Sequence, residues 1–402
     1  MNAFNLNSEP FHKPLTPTRE NEKYVFLTGA TGMLGSYFLR DLLSHGYRVV
    51  VLVRQSRNKS ASQRVDALLK VWESEGFRYP RPKVIAGDLS GLGWLEEHAD
   101  WCKKNVDTVI HSAASLVFYG DRDAEPYLTN LQGIHTVLRL CERAQIRKFH
   151  HISTAYVAGS KPIFYEHECN EGQEFRNDYE RSKMESEQMV RDFGFESLTV
   201  YRPSIVIGDT QTGYTATFSG LYAALKLVHT LVSRLSLGST SARFALAAMG
   251  MNGNESKNLV PVDWVAKVLM HIFSNKELHG KTYHLTNPNP PQMKDVAKTI
   301  QDVVEQYSNL VNENDELRCD EAWFGQNFMK QMKLFRAYLN EDPQFDSSNT
   351  TQAAPHLPCP VVDYNLLMFL FHKAIESQFG KNWRISASAL SYQHSGDLQL
   401  SE

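Results

Sequence analysis

Cysteine is scarce in this chain. There are five in 402 residues, and none forms a Cys-x-x-Cys pair. A disulfide scaffold is therefore not expected, nor a zinc site built on paired thiolates, and a reducing cytoplasm fits. Neither sign of charge dominates: 42 Lys and Arg stand against 45 Asp and Glu, a formal net charge of -3. That is no footprint for a nucleic-acid partner. Long hydrophobic runs are lacking too. Leu366 to Phe371 is only six residues, far below the ~20 needed to span a bilayer, so no integral membrane segment is expected. Residues 1–22 are polar, hold three prolines and have no apolar stretch, so they read as a flexible tail rather than a signal peptide. His150-His151 and His167-Glu168-Cys169 have no second cluster to complete a site, and no metal is expected.

What is present begins with Tyr24-Val25-Phe26-Leu27, a short apolar run that reads as a buried strand. Thr28-Gly29-Ala30-Thr31-Gly32-Met33-Leu34-Gly35 follows. An apolar-periodic helix runs from there to His45-Gly46, and a second strand covers Tyr47 to Val53. Strand, glycine turn, helix and strand make one βαβ unit. Its glycines let backbone approach a pyrophosphate, and the helix N-terminus supplies free N–H groups and positive dipole. Gly29, Thr31, Gly32, Met33, Leu34 and Gly35 are therefore candidate dinucleotide contacts, although the spacing G-x-x-G-x-x-G differs from the commoner G-x-G-x-x-G. After the second strand an acid holds a ribose 2′-OH, whereas Arg accommodates a 2′-phosphate. No acid lies between Val49 and Arg64, while Arg54, Arg57, Lys59 and Arg64 do. NADP(H) is thus expected over NAD(H), with an ordinary basic loop as the bland alternative.

Tyr179 and Lys183 stand four residues apart, on one face of any helix that carries them. A cation near the phenol favours phenolate, so the pair is expected to lower the tyrosine pKa and provide a general acid. Alone, Tyr-x-x-x-Lys also describes a solvated surface pair. Here it follows a glycine turn of the right kind.

These segments together resemble the extended short-chain dehydrogenase/reductases, and more narrowly the fatty acyl-CoA reductase and thioester reductase branch. The resemblance covers about residues 24–287. Its marks, in order, are the glycine turn, Leu52-Val53-Arg54 with Arg64, Gly87-Asp88-Leu89, His111-Ser112-Ala113-Ala114, Asn130-Leu131-Gln132-Gly133, Ser153-Thr154-Ala155-Tyr156-Val157-Ala158-Gly159, Tyr179 with Lys183, Tyr201-Arg202-Pro203-Ser204, and Val260-Pro261-Val262-Asp263. The resemblance implies that Asp88 and Leu89 hold an adenine and that Ala113 and Ala114 line the cofactor. It implies that Pro203 and Ser204 border the nicotinamide and that Lys183 holds the nicotinamide ribose beside Tyr179. Thr154 is implied as the hydroxyl that binds the substrate carbonyl, with Ser153 a cofactor neighbour and the rival for that role. Asn130 is implied in a structural or proton-relay part.

The implied activity is NADPH-dependent reduction of an acyl thioester to aldehyde, and on to alcohol in a second cycle. The substrate is delivered as a CoA ester or by a carrier protein in trans, because no adenylation module or carrier domain is legible in these residues. Other readings of the same scaffold are nucleotide-sugar epimerase or dehydratase, ketone or aldehyde reductase, thioester hydrolysis, and a non-catalytic NADP sensor. A monomer or homodimer is expected.

The fold class expected is α/β: a Rossmann-type doubly wound parallel sheet with a smaller, mainly helical C-terminal substrate-binding part. Helices are read near 61–75, 125–144 and 178–193, and strands at 84–86, 106–111, 149–153 and 198–201, an alternation that implies a parallel sheet. The NADP-binding domain is placed at 23–210. The substrate-binding or lid region is placed at 211–386, with strands returning to the main domain near 257–287. A loose tail is placed at 387–402. Ser219–Leu235, Gln292–Tyr307 and Val361–Gln378 read as helices, and 341–360 as a loop. The apolar segment Leu366–Phe371 has two readings, a small helical core or a lid against an acyl chain.

Overall fold

A computed structural model describes residues 18–19, 22–74, 77–218, 221–235, 252–308 and 340–381. Most of the tail read at 1–22, and all of the one read at 387–402, lie outside the described residues. Seven strands form one parallel sheet in the order β10-β7-β5-β4-β1-β2-β3. They are β1 (Tyr24–Thr28), β2 (Val49–Val53), β3 (Lys83–Ala86), β4 (Val106–His111), β5 (Lys148–Ile152), β7 (Ser197–Pro203) and β10 (Thr282–Leu285). β2 reads Val-Val-Val-Leu-Val and is buried throughout, the unbroken apolar pattern of a strand covered on both faces. Helix α1 (Met33–Ser44) and helix α7 (Val262–Ser274) cover one face. Helices α3 (Gly93–Asn105), α4 (Gly133–Ala144) and α5 (Asp178–Asp192) lie on the other. The chain winds outward from β1 through β2 to β3, then returns to lay β4 on the other side of β1. The crevice of such a sheet opens where that direction reverses, at the carboxyl ends of β1 and β4.

The remaining elements form smaller units. β8 (Ile205–Ile207) pairs with β9 (Leu259–Pro261), and β6 (Ile163–Phe164) with β11 (Gln344–Phe345). Helices α6 (Leu221–Leu235), α8 (Met293–Ser308) and α10 (Tyr364–Glu376) enclose a second apolar core that includes Leu225, Val303, Leu367, Leu370 and Phe371. Three of the six side chains of Leu366–Phe371 are buried in this core.

Two expected elements differ. The helix read to residue 75 is α2 (Ala61–Leu69), begun by a capping box between Ser60 and Gln63. It stops early because Trp72 turns into the core, 1% exposed and edge-on to Tyr37 and Tyr214. Burying an indole outweighs the small gain of one more helical turn. The segment 341–360, read as loop, carries β11 and a short helix α9 (Ser348–Ala353). Buried carboxylates shape it. Asp342 accepts from Tyr156 Oη and Asn258 N, both at 2.8 Å. Glu166 accepts from His284 N at 2.8 Å and Asn349 N at 2.6 Å.

The glycine turn tolerates nothing larger at two places. Gly29 has φ +73°, and a Cβ there would stand 2.5 Å from Ala113 N; a Cβ on Gly35 would stand 2.2 Å from Gly29 O. Gly35→Ala is therefore expected to cost roughly 1–3 kcal/mol of stability, because neither contact partner is a side chain that can move. Urea unfolding measures it, and an unchanged midpoint would show slack in the turn.

Candidate active site

The crevice is assembled from the ends of β1, β4, β5 and β7 and the start of α5. At the end of β1, Thr28 Oγ1 lies 2.9 Å from His111 Nδ1 and accepts from Ala113 N at 3.3 Å, which ties the glycine turn to β4. Ala113 and Ala114 follow directly, and Ala113 is the residue Gly29 packs against. The N-cap of α1 is Gly32, with no side chain capping the helix. The first amides of such a helix have no intrahelical partner, the setting in which helix N-termini bind anions. Met33 and Leu34 pack partly into the core, and Thr215 and Thr217 direct hydroxyls to the Met33 sulfur.

Beside this turn the two arginines converge. Arg64 donates to Thr31 Oγ1 at 3.2 Å and to Arg54 O at 2.6 Å, and Arg54 pairs with Asp88 at 3.6 Å. Burial opposes ionisation of Asp88, but Ser90 N–H and O–H and the Arg54 charge outweigh it and hold the carboxyl below its usual range. Leu89 lies against Gly133 at the start of α4 and packs on the core.

On the opposite wall, α5 buries a polar face: Glu180, Ser182, Lys183, Ser186 and Glu187. Such a face is uncommon and needs partners. Asn177 caps the helix, accepting from Glu180 N at 2.9 Å. Lys183 is 2% exposed and donates to Ile152 O at 2.8 Å. Burial lowers its pKa to about 8, against the pull of Glu187. Thr154 stands beside the Tyr179 phenol and favours its ionisation. Thr154 Oγ1 also lies 3.4 Å from Pro203 O.

The expected depression of the tyrosine is not found. Burial pushes Tyr179 up to about 12, with Thr154 pulling the other way and Glu180 adding to the rise. The lysine does share a helix with the phenol, but its ammonium is turned onto the Ile152 carbonyl. Ser153 and Thr154 separate as strand alternation requires. Thr154 meets Tyr179, while Ser153 turns toward Glu187, in a contact outside strict hydrogen-bond geometry. Ser204, next to Pro203, is 6% exposed and its hydroxyl has no partner among the described residues.

Behind the helix, Glu187 accepts from Arg202 at 2.6 Å and Arg191 at 2.8 Å, with Glu187 and Arg202 both fully buried. Burial opposes ionisation of Glu187, but the Arg202 charge outweighs it and holds the carboxyl far below the usual range. Asn130 sits in a π-helical turn, Leu128–Gln132, ahead of α4. Its side chain accepts from Ser115 N at 2.8 Å and donates to Ser182 Oγ at 2.9 Å, joining the loop after β4 to α5.

Sequence reasoning passed over Asp178. Its carboxylate accepts from Gly120 N at 2.7 Å and Tyr127 Oη at 2.9 Å, and its N–H donates to Phe118 O at 2.9 Å. The signal available was the apolar run Leu116-Val117-Phe118-Tyr119, which follows Ala114 without belonging to a strand. Among the described residues no group of three or more His, Cys, Asp or Glu could hold a metal, and no helix is long and apolar enough to cross a membrane.

A family model described as Male sterility protein, an NAD-binding domain, matches residues 27–269. The chain is 27% identical to the aldehyde reductase lnaA of Aspergillus flavus, over 89% of this chain and 36% of that protein. It is 30% identical to the nonribosomal peptide synthetase asaC of the same organism, over 69% of this chain and 27% of that protein. It thus spans about a third of the length of these curated relatives. Among solved structures, the terminal R domain of the myxalamid PKS-NRPS biosynthetic pathway superposes with a TM-score of 0.69 at 23% identity, covering 91% of this chain and 93% of that one. That likeness is one of fold.

Proposed function

This chain belongs to the Male sterility protein family of NAD-binding domains, and from that premise we propose that it is an NADPH-dependent reductase of acyl thioesters, with Tyr179 as proton donor. The observation that carries this reading is the Thr154 hydroxyl beside the Tyr179 phenol, with Lys183 on the next helical turn, at the strand ends where an α/β sheet binds ligands. The names of its relatives, an aldehyde reductase and a peptide synthetase, support the substrate class.

The residues present fit a nicotinamide dinucleotide. The uncapped α1 N-terminus suits a pyrophosphate, and the orphaned Ser204 hydroxyl sits beside Pro203. Gly29, Thr31, Gly32, Met33, Leu34 and Gly35 would hold the pyrophosphate side. Asp88, Leu89, Ala113 and Ala114 would hold the adenine side. Ser153, Tyr179, Lys183, Pro203 and Ser204 would hold the nicotinamide side. Arg54 and Arg64 would take a 2′-phosphate, and the absence of acid after β2 favours NADPH over NADH. When bound, the dinucleotide supplies hydride.

The protein does the rest. Thr154 donates to the substrate carbonyl oxygen, in a bond that strengthens as charge develops there. Tyr179 passes its proton to that oxygen, and Lys183, its ammonium on the Ile152 carbonyl, would hold the nicotinamide ribose beside it. The product of a thioester is a hemithioacetal. Its C–S bond breaks as the hydroxyl proton is lost, giving aldehyde and free thiol. The domain assignment proposed with it is 23–210 for cofactor and acid and 211–386 for the substrate, with strands near 257–287 returning to the main domain.

The test is absorbance at 340 nm with NADPH, a panel of acyl-CoA and acyl-pantetheine thioesters and the matching aldehydes. Thioester-dependent oxidation with aldehyde or alcohol product is expected; no oxidation with any member sinks the reading. Arg64→Ala is expected to raise KM for NADPH roughly tenfold, the loss of one charge-assisted hydrogen bond, with little change for NADH. Equal effects on both cofactors would remove Arg64 from the 2′-phosphate site.

A further inference from the structure

Two positions after Thr154 stands Tyr156, 3% exposed. Thr154 caps the 3₁₀ turn Ala155–Ala158, accepting from Tyr156 N at 3.3 Å. The Tyr156 hydroxyl donates to Asp342 Oδ2 at 2.8 Å. Three positions before Tyr179 stands Arg176. It donates from Nε to Glu180 Oε1 at 2.9 Å, and from its backbone N–H to Glu180 Oε2 at 3.0 Å. Its guanidinium carbon lies 5.0 Å from the Tyr156 ring centroid, and its Nη1 lies 3.8 Å from Asp342 Oδ1. Side chains flanking both candidate catalytic residues therefore meet on one carboxylate.

That carboxylate is itself held. Lys257 Nζ donates to Asp342 Oδ1 at 3.2 Å and to Asn340 O, and Asn258 N donates to Asp342 Oδ2 at 2.8 Å. Arg176 and Lys257 thus face Glu180 and Asp342, two charges of each sign, with side chains 12% exposed or less. Such a cluster contributes little stability that well-packed apolar side chains could not. What charge-assisted bonds add is direction, because each fixes the angle at which the next group stands. Thr154 follows β5 and Tyr179 lies in the first turn of α5. A slip of one element against the other would part the hydroxyl from the phenol. A misplacement of about 1 Å can cost a hundredfold in rate.

We propose that Asp342 is a positioning residue for the reaction, setting the Thr154 hydroxyl against the Tyr179 phenol through Tyr156 on one side and Arg176 on the other. The proposal rests on the reductase reading for the roles of Thr154 and Tyr179. Its content is separate: the segment that carries Asp342 completes the geometry of the acid, and the domain that carries Thr154 and Tyr179 does not set it alone. No contact between Asp342 and the substrate is required.

Tyr156→Phe and Asp342→Asn test it. The first removes one hydroxyl and keeps the ring beside Arg176. With NADPH and a thioester, kcat is expected to fall roughly tenfold in Tyr156→Phe and roughly a hundredfold in Asp342→Asn. The Kd for NADPH, read by its fluorescence, is expected to change less than about twofold in either. A double-mutant cycle separates positioning from general support. In a Thr154→Ala background, Tyr156→Phe is expected to lower kcat less than about twofold further, since the group it positions is gone. Equal losses in both backgrounds overturn the proposal. Asp342→Asn leaves two buried cations short of a partner; should it not fold, Tyr156→Phe carries the test, because Asp342 keeps Arg176, Lys257 and Asn258. Crystal structures of wild type and Tyr156→Phe read the same point without turnover. The Thr154 and Tyr179 oxygens are expected to separate by about 0.5 Å or more, the tolerance of a catalytic constellation. Superposable positions overturn the proposal. If no thioester drives NADPH oxidation in wild type, the reductase reading falls, and the crystal structures still decide whether Asp342 sets the pair.

Discussion

Tyr179→Phe is expected to cut thioester-dependent NADPH oxidation by roughly 10²- to 10⁴-fold, the usual worth of a positioned general acid. The substitution removes one hydroxyl and keeps the ring against Phe118, so NADPH affinity is expected to survive. The phenol pushed up to about 12 holds its proton throughout the neutral range, and it is loaded for reduction without prior titration. Lys183 titrates sooner, its pKa brought down to about 8 by burial. The cation is present below that value and lost above it. Reduction should therefore decline as pH rises through about 8, well before the tyrosine itself ionises. A kcat profile flat to pH 10 would separate Lys183 from the chemistry. Unaltered turnover in Tyr179→Phe would end the assignment of the acid.

The second large effect is expected in acid. Four histidines are buried as neutral rings: His111, His150, His151 and His284, each 2% exposed or less. Burial is the main cause in each. Lys183 adds to it at His111 and His151, His279 at His150, and Arg202 at His284. His111 and His284 are brought down to about 3, and the other two well below their ordinary value. An unfolded imidazole takes a proton near ~6.5 and the folded ones do not, so between those values the unfolded chain holds more protons. Stability is then complete above the unfolded value and falls as pH falls. Each ring costs about 1.4 kcal/mol per pH unit once well below ~6.5. Glu187 does not share this window. Its carboxyl is held far below the usual range, so its salt bridges fail only in stronger acid. Urea midpoints at pH 7.5, 6.5 and 5.5 should fall steeply over the last step, and His111→Asn should flatten the slope. Equal midpoints at all three would refute the buried neutral rings.

Much of the architecture was legible because it is written in short repeats. β2 is apolar at every position, α1 keeps its apolar stripe, and the turn between β1 and α1 needs glycine where backbones meet. Helix α10 was legible for the same reason. Helix α2 was overread by several residues, because nothing in the local pattern says that Trp72 has a pocket between Tyr37 and Tyr214. The segment 341–360 was read as loop from its composition. Its order comes from Asp342 and Glu166, whose partners lie 84 to 186 positions away.

The candidate site divides along the same line. By itself the sequence determined that Tyr179 and Lys183 share a helix face and that a dinucleotide turn opens the chain's first βαβ unit, because both follow from spacings of three or four residues. It also determined the basic, acid-free stretch after β2. Only the tertiary structure decided that Thr154 rather than Ser153 meets the phenol. It alone set the direction of the Tyr179 pKa, since burial acts through every group packed around the ring and the one cation that spacing could see is turned onto the Ile152 carbonyl. It alone brought Asn130 and Asp178 to the two ends of one loop. Hydrogen bonds across 15 and 58 positions depend on where a whole sheet and two helices come to rest, and no local period encodes that.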